Sequence, residues 1–234
     1  MTTPSKLTIT SDGGEFGAHL VRPDGGEGPG VLVLQEIFGV NTYIRDVCER
    51  LAALGYVALA PDMFWRQKPG IDLSAFDEND LKEGMGYGMA FDAEAGLADL
   101  GNALATLRLL DGTGGKAGVL GFCFGGTFSY LTAVHHDPDV AISYYGSGVA
   151  AAIGEIDQVA CPLQFHFGGS DPYIPDADVQ RIANAVAGRA DMELHVQSAG
   201  GHAFDNGFSA MFSHPPSAEA AWELTTRFLA THLA

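Results

Sequence analysis

The stretch GFCFG, residues 121 to 125, sets Cys123 between two glycines, directly after the apolar run KAGVL and directly before GTFSYLTAV. The spacing G-x-C-x-G is that of a nucleophile carried on a sharp strand-to-helix turn, where the absent glycine side chains relieve crowding and leave the thiol exposed at a sheet edge. The free N–H groups and dipole of the following helix also favour the thiolate. Such a nucleophile needs a base to take its proton and an acid to orient that base. In chain order after the elbow, Asp171 in FHFGGSDPYIP and His202 in QSAGGHAF fit the two roles, each just beyond a predicted strand. Gly200 and Gly201 let the backbone bring the imidazole over the sheet edge. Asp205 is an alternative acid that would have to fold back on the same loop. The chemistry these groups share is acyl transfer.

Acyl transfer leaves negative charge on the former carbonyl oxygen, and two converging backbone N–H groups are the simplest fixed donors for it. The expected donors are Phe124, the residue after the nucleophile, and Ile37, in the loop after GVLVLQ. Glu36, in LQEIFGVN, falls at the same strand end. A carboxylate there accepts the thiol proton but also raises the thiol pKa by repulsion, opposing the helix dipole. The alternative is a solvated loop carboxylate. Cys48, on the apolar side of a helix, and Cys161, before Pro162, read as packing residues.

Positioning these groups requires a sheet whose strand ends share one rim. Short apolar runs alternate with longer amphipathic ones, the pattern of a mostly parallel sheet with helices on both faces. KLTIT and FGAHLVRP flank Asp12, Gly13 and Gly14 and predict an N-terminal antiparallel hairpin. GVLVLQ, YVALAPD, KAGVLG, VAISYYG, PLQFHFGG and MELHVQ read as further strands. Helices are expected over NTYIRDVCERLAALG, capped by Asn41 and ended by Gly55, and over EAGLADLGNALATLRLL and GGTFSYLTAV. Two more cover DADVQRIANAVAG, capped at Asp176, and SAEAAWELTTRFLATHL. Residues 61 to 91 are irregular, with aromatic and Met side chains among turn residues, and read either as a substrate-facing loop or as a satellite core. No repeat, low-complexity tract or linker interrupts the pattern, so residues 1–234 are expected to form a single α/β domain.

Composition narrows the partners. With a formal net charge of -17 and only 12 Lys+Arg, the chain shows no basic cluster able to neutralise a phosphate backbone, which argues against nucleic acid. MTTPSKLTIT lacks an apolar signal core, and VAISYYGSGVAAAIG is too short and glycine-broken to span a bilayer. Three widely spaced cysteines suggest a reducing compartment, so a cytoplasmic protein is expected; its partner is expected to be a small molecule, and a monomer is favoured with the oligomeric state left open.

At these residues the sequence resembles the dienelactone hydrolase family of α/β-hydrolases. The matching stretches are QEIFGVN, GYVALAPD, RQKPG, FDAEAGLADL, GFCFGG, YYGSG, GGSDPYIP and GGHAF, spread over nearly the whole chain. The resemblance implies a triad of Cys123, Asp171 and His202, with Glu36 holding the thiol proton at rest and the Ile37 and Phe124 N–H groups as oxyanion donors. It implies neither metal nor organic cofactor, and an activity on enol-lactones or related small esters. Dienelactone enzymes grip the substrate carboxylate with arginines. Here the corresponding positions read Leu81 and Asn206, with Lys82 a nearby point charge. Loss of bidentate charged donors favours a neutral ester or lactone. Phe38, Met85, Tyr87, Tyr145, Phe204, Asn206 and Phe208 are the residues expected to line the substrate pocket. The competing readings are a general carboxylesterase or thioesterase and, from another class, a non-catalytic binder or thiol sensor on the same fold.

Overall fold

The computed structural model describes residues 3–233. Eight strands form one sheet in the order β1-β2-β4-β3-β5-β6-β7-β8. Strands β1 (Thr3–Ser11) and β2 (Gly14–Arg22) are the antiparallel hairpin expected from the Asp12-Gly13 turn, with Ser11 opposite Gly14. β2 also runs antiparallel to β4 (Val57–Pro61), and the remaining neighbours are parallel: β3 (Gly30–Leu34), β5 (Ala117–Phe122), β6 (Ala141–Tyr144), β7 (Leu163–Gly168) and β8 (Met192–Gln197). Every residue of β3 through β7 is buried, as parallel strands covered on both faces require.

The covering helices are α1 (Thr42–Ala53), α2 (Glu78–Met89), α3 (Ala93–Leu109), α4 (Phe124–His136), α5 (Val149–Ala152), α6 (Asp176–Val186) and α7 (Pro215–His232), with a 3-10 turn at Ile153–Gln158. Asn41 caps α1 as expected, its side chain accepting from the Ile44 amide. Asp176 does not cap α6. It is the first helical residue, Pro175 takes the cap position, and no side-chain cap bond forms. Among the described residues no helix is long and apolar enough to cross a membrane.

The strand order turns about β3. The chain leaves β3 through α1 toward β4, then passes back to β5 on the other side, so the connections from β3 and β5 diverge. A crevice outside the carboxyl ends of two such strands is where open α/β sheets bind ligands. The loop carrying Glu36 follows β3, and Cys123 follows β5.

Within residues 61 to 91, α2 is the element that sequence periodicity hid. Gly84, Gly86 and Gly88 depress helix propensity across its second half. Asp77 nevertheless starts the helix by accepting from the Asn79 and Asp80 amides. Packing explains Gly84: a Cβ there would lie 2.6 Å from the Ile37 carbonyl oxygen, so only glycine lets α2 close on the loop after β3. Gly86 faces open space. Beneath α2, the rings of Phe64, Tyr87, Phe91, Phe124 and Phe128 pack together with centroids 4.8 to 5.9 Å apart, a satellite core. The satellite-core reading of this segment therefore holds, and a helix stands where a loop was expected.

The two glycines make opposite predictions in thermal or urea melts. Gly86→Ala is expected to stabilise by about 0.5–1 kcal/mol, from helix propensity alone. Gly84→Ala is expected to destabilise despite the same propensity gain. Equal effects would mean α2 is not seated on Ile37.

Candidate active site

The elbow is built by close backbone approach. A Cβ on Gly121 would fall 1.9 Å from the Gly125 carbonyl oxygen, and one on Gly125 would fall 2.3 Å from that of Leu34. The Gly125 amide donates to the Gln35 carbonyl at 2.9 Å, tying the elbow to the loop that carries Glu36 and Ile37. Cys123 itself takes φ 53° and ψ -112°, a conformation costly for a residue with a side chain. Tyr145 (φ 38°) and Ala203 (φ 54°), which flank His202 in space and in sequence, are strained in the same sense. Three of the four non-glycine residues with positive φ among those described thus surround one point, the kind of clustering that marks a functional site.

Asp171 and His202 arrive on neighbouring loops. The Ser170 amide donates to the Gly200 carbonyl at 2.9 Å, and Gly168 packs so tightly that a Cβ would meet the carbonyls of both Gly200 and Gly201 at 2.5 Å. The two loops therefore lie side by side. His202 Nδ1 is 2.8 Å from Asp171 Oδ2, and His202 Nε2 is 3.0 Å from Cys123 Sγ. The other Asp171 oxygen accepts from the Tyr173 amide at 2.8 Å, an Asx turn that fixes the carboxylate plane. Burial by itself would discharge the ring. The electrostatic and hydrogen-bond influence of Cys123 and Asp171 outweighs it and raises His202 to about 10.

The Phe124 and Ile37 N–H groups have no acceptor within the protein among the described residues, and both residues border the space above Cys123. Asp205 is not the ring's partner. Its buried carboxylate accepts from Tyr43 Oη at 2.8 Å and from Arg50 Nη1 at 3.1 Å, and the Arg50 guanidinium lies over the Trp222 ring at 3.7 Å. Tyr43 Oη also lies 3.3 Å from Tyr145 Oη, and the Tyr145 ring packs 5.4 Å from that of His202.

Glu36 is buried rather than solvated, at 1% exposure. Its Oε2 accepts from Asn206 Nδ2 at 2.8 Å, and its Oε1 has no hydrogen-bond partner. The hydrogen-bond partner of the Cys123 sulfur in this arrangement is His202 Nε2, and no bond joins it to Glu36. Burial pushes its carboxyl up to about 7, against the opposing pull of Asn206 and of the charged imidazole.

A cleft of about 250 Å³ opens over the sulfur. Of the residues expected to line it, Phe38 and Met85 do, as does Leu81, with Leu81 and Met85 a helical turn apart on α2. Tyr145, Phe204 and Asn206 are fully buried beneath it instead. Tyr87 turns to Phe64 and donates to Glu83, and Phe208 borders grooves beside Tyr43. Lys82 is exposed and outside the lining. Ser147, Tyr173, Ala203 and Phe212 complete the wall and escaped the sequence reading. Tyr173 and Ala203 adjoin the motifs and were within reach of it, whereas Phe212 lies in a loop with no periodic signal. Among the described residues no three His, Cys, Asp or Glu side chains converge to hold a metal ion.

An eight-stranded mixed sheet with helices on both faces and a strained elbow after β5 is the architecture of an α/β-hydrolase. The chain belongs to the dienelactone hydrolase family, whose model matches residues 16–233. It is 36% identical over 213 residues to a carboxymethylenebutenolidase from Pseudomonas sp. (strain P51), covering 91% of this chain and 89% of the relative. Identity to a carboxymethylenebutenolidase from Pseudomonas putida is 35% over 193 residues, 82% of each chain. A crystal structure of a candidate dienelactone hydrolase from Klebsiella pneumoniae subsp. pneumoniae MGH 78578 superposes with a TM-score of 0.83 at 28% identity, covering 98% of this chain and 99% of that one. The protein is accordingly a hydrolase.

The state of Glu36 has a measurable consequence. Its folded-state pKa of about 7 lies above the ordinary 4.5, so between those pH values the folded chain binds more protons than the unfolded chain. Stability therefore falls as pH rises through that window and levels off above it. Glu36→Gln is expected to remove the loss, gaining about 3 kcal/mol over the parent in urea melts at pH 8 and little at pH 4. A difference that does not change with pH would place the carboxyl in water.

Proposed function

We propose that this chain hydrolyses neutral lactones or small carboxylic esters through an acyl-thioester on Cys123. The observation that carries the reading is the hydrogen-bonded line from Asp171 through His202 to Cys123, opening into a cleft that no Lys or Arg lines. In the first half-reaction the sulfur bonds to the substrate carbonyl carbon. The carbonyl oxygen takes the charge and turns to the Phe124 and Ile37 N–H groups. The C–O bond then breaks, and the departing oxygen takes the proton from His202 Nε2. In the second half, neutral His202 removes a proton from water, the hydroxide attacks the thioester, and the C–S bond breaks. Acid is released, and Cys123 returns to its charged pairing with the imidazolium. Asp171 keeps the ring oriented throughout and steadies its positive charge.

In substrate charge this chain differs from what its carboxymethylenebutenolidase relatives are named for. The two positions that correspond to carboxylate-binding arginines hold Leu81, an apolar wall residue, and Asn206, buried and engaged with Glu36. A substrate carboxylate entering here would meet no Lys or Arg, and the one cation on the wall, His202, is already paired with Asp171 and Cys123, which disfavours it. Since Asn206 is sealed beneath the cleft, Leu81 is the position from which a cation could reach substrate.

The nucleophile is tested by labelling. Iodoacetamide is expected to modify Cys123 far faster than Cys48 or Cys161, whose buried thiols are both pushed up by desolvation. The burst with p-nitrophenyl acetate is expected to vanish in Cys123→Ala. Equal labelling rates, or a burst that survives, would remove Cys123 from the mechanism.

Substrate charge is tested by rates. The parent is expected to favour neutral lactones and aryl esters over dienelactone. Leu81→Arg is expected to shift kcat/KM toward the carboxylate-bearing lactone by about tenfold, the scale of one charge-assisted hydrogen bond. A parent that prefers dienelactone would refute the neutral-substrate reading.

A further inference from the structure

A second groove, of about 340 Å³, runs from Cys123 past Gly88, Met89, Phe124, Thr127, Phe128 and Gly148. It shares Ile37, Met85, Cys123 and Ser147 with the cleft described above, so the sulfur stands where two arms meet. His202, Tyr173 and Phe212 line the first arm and not the second. No Asp, Glu, Lys, Arg or His lines the second arm, and its Thr127 hydroxyl already accepts from the Gly148 amide at 2.9 Å. Glycines keep it open. A Cβ at Gly88 would stand 3.3 Å from Ile37 Cγ2 and 3.9 Å from Phe124 Cδ2, both groove residues.

We propose that this second arm is an acyl-binding subsite for an unbranched apolar chain, and that the alcohol portion of an acyclic ester occupies the arm that contains His202. The assignment rests on the ester-hydrolase reading above and adds a direction to it. When sulfur bonds to the carbonyl carbon and the C–O bond breaks, the departing oxygen must take its proton from His202 Nε2. That oxygen, and the alcohol group attached to it, therefore lie on the side of the first arm. The carbonyl oxygen is committed to the Ile37 and Phe124 N–H groups. The remaining substituent on the carbonyl carbon, the acyl chain, is left with the groove bounded by Gly88 and Phe124. An uncharged lining of Ile37, Met85, Met89, Phe124 and Phe128 suits methylenes, each of which adds about fourfold to kcat/KM when buried. A small lactone, whose acyl and alcohol ends are tethered, fills only the junction, whereas an acyclic ester fills both arms.

The test compares p-nitrophenyl acetate, butyrate and octanoate, and separately methyl, phenyl and naphthyl acetates, on the parent, Gly88→Leu and Leu81→Trp. Gly88→Leu puts a side chain into the second arm at a position where leucine favours the helix, and Gly88→Ala is a smaller step should the larger one misfold. The octanoate-to-acetate ratio of kcat/KM is expected to exceed one in the parent and to fall at least tenfold in Gly88→Leu. The aryl-to-methyl acetate ratio is expected to respond to Leu81→Trp instead. The opposite pairing, or acyl-length ratios indifferent to both Gly88 variants, overturns the assignment while leaving the hydrolase reading in place. Absence of any acyl adduct on Cys123 by mass spectrometry in the parent overturns both.

Discussion

The site depends on one close backbone contact, the seating of the elbow at residues 121–126 against the end of β3. At Gly125 the main chain comes so near Leu34 that no side chain fits between them, and the Gly125 amide is bonded to the Gln35 carbonyl. That contact sets the position of Cys123 on one strand end relative to Ile37 and Glu36 on the next. It also forces Cys123 into its strained conformation, which lifts the sulfur clear of the sheet. Stored strain of this kind persists only where the surroundings over-determine it, and here the fully buried strands β3 and β5 do so.

Charge is managed around that contact by burial and pairing. His202 is pulled up by its partners on the two ring nitrogens, Asp171 and Cys123, while Glu36, nearly sealed from water with one oxygen unpartnered, is pushed toward neutrality. Two ionisable groups on one cleft wall are thus moved up the pH scale by opposite causes, attraction in one case and desolvation in the other. The chain's high negative charge lies elsewhere, on its exposed surface.

Much of this was legible in the sequence because it rests on local chemistry. The eight apolar runs were readable as strands, and the order elbow, Asp171, His202 followed from where those strands end. Which glycines mattered was readable only where they flanked a motif. Gly84 in α2 carried no such flag, because its reason is a contact with Ile37, far away in the chain. Glu36 shows the same limit. Its place beside the elbow could be inferred, but its burial and its bond to Asn206 come from the fold of residues 203 to 209, which no periodicity announces. The aromatic residues named as pocket walls were mostly misplaced for a related reason. Sequence marks Tyr145 and Phe204 as large and near the motifs, and it does not say which side of the main chain they take.

The Arg50–Asp205 pair joins three parts of the chain that are distant in sequence. Arg50 belongs to α1, the ring it covers belongs to Trp222 of α7, and the carboxylate it holds sits on the histidine loop. The terminal helix is therefore a strut for the imidazole as well as a cover for the sheet. Detaching α7 would strip the Trp222 ring from Arg50 and so remove one support from the loop that carries the histidine.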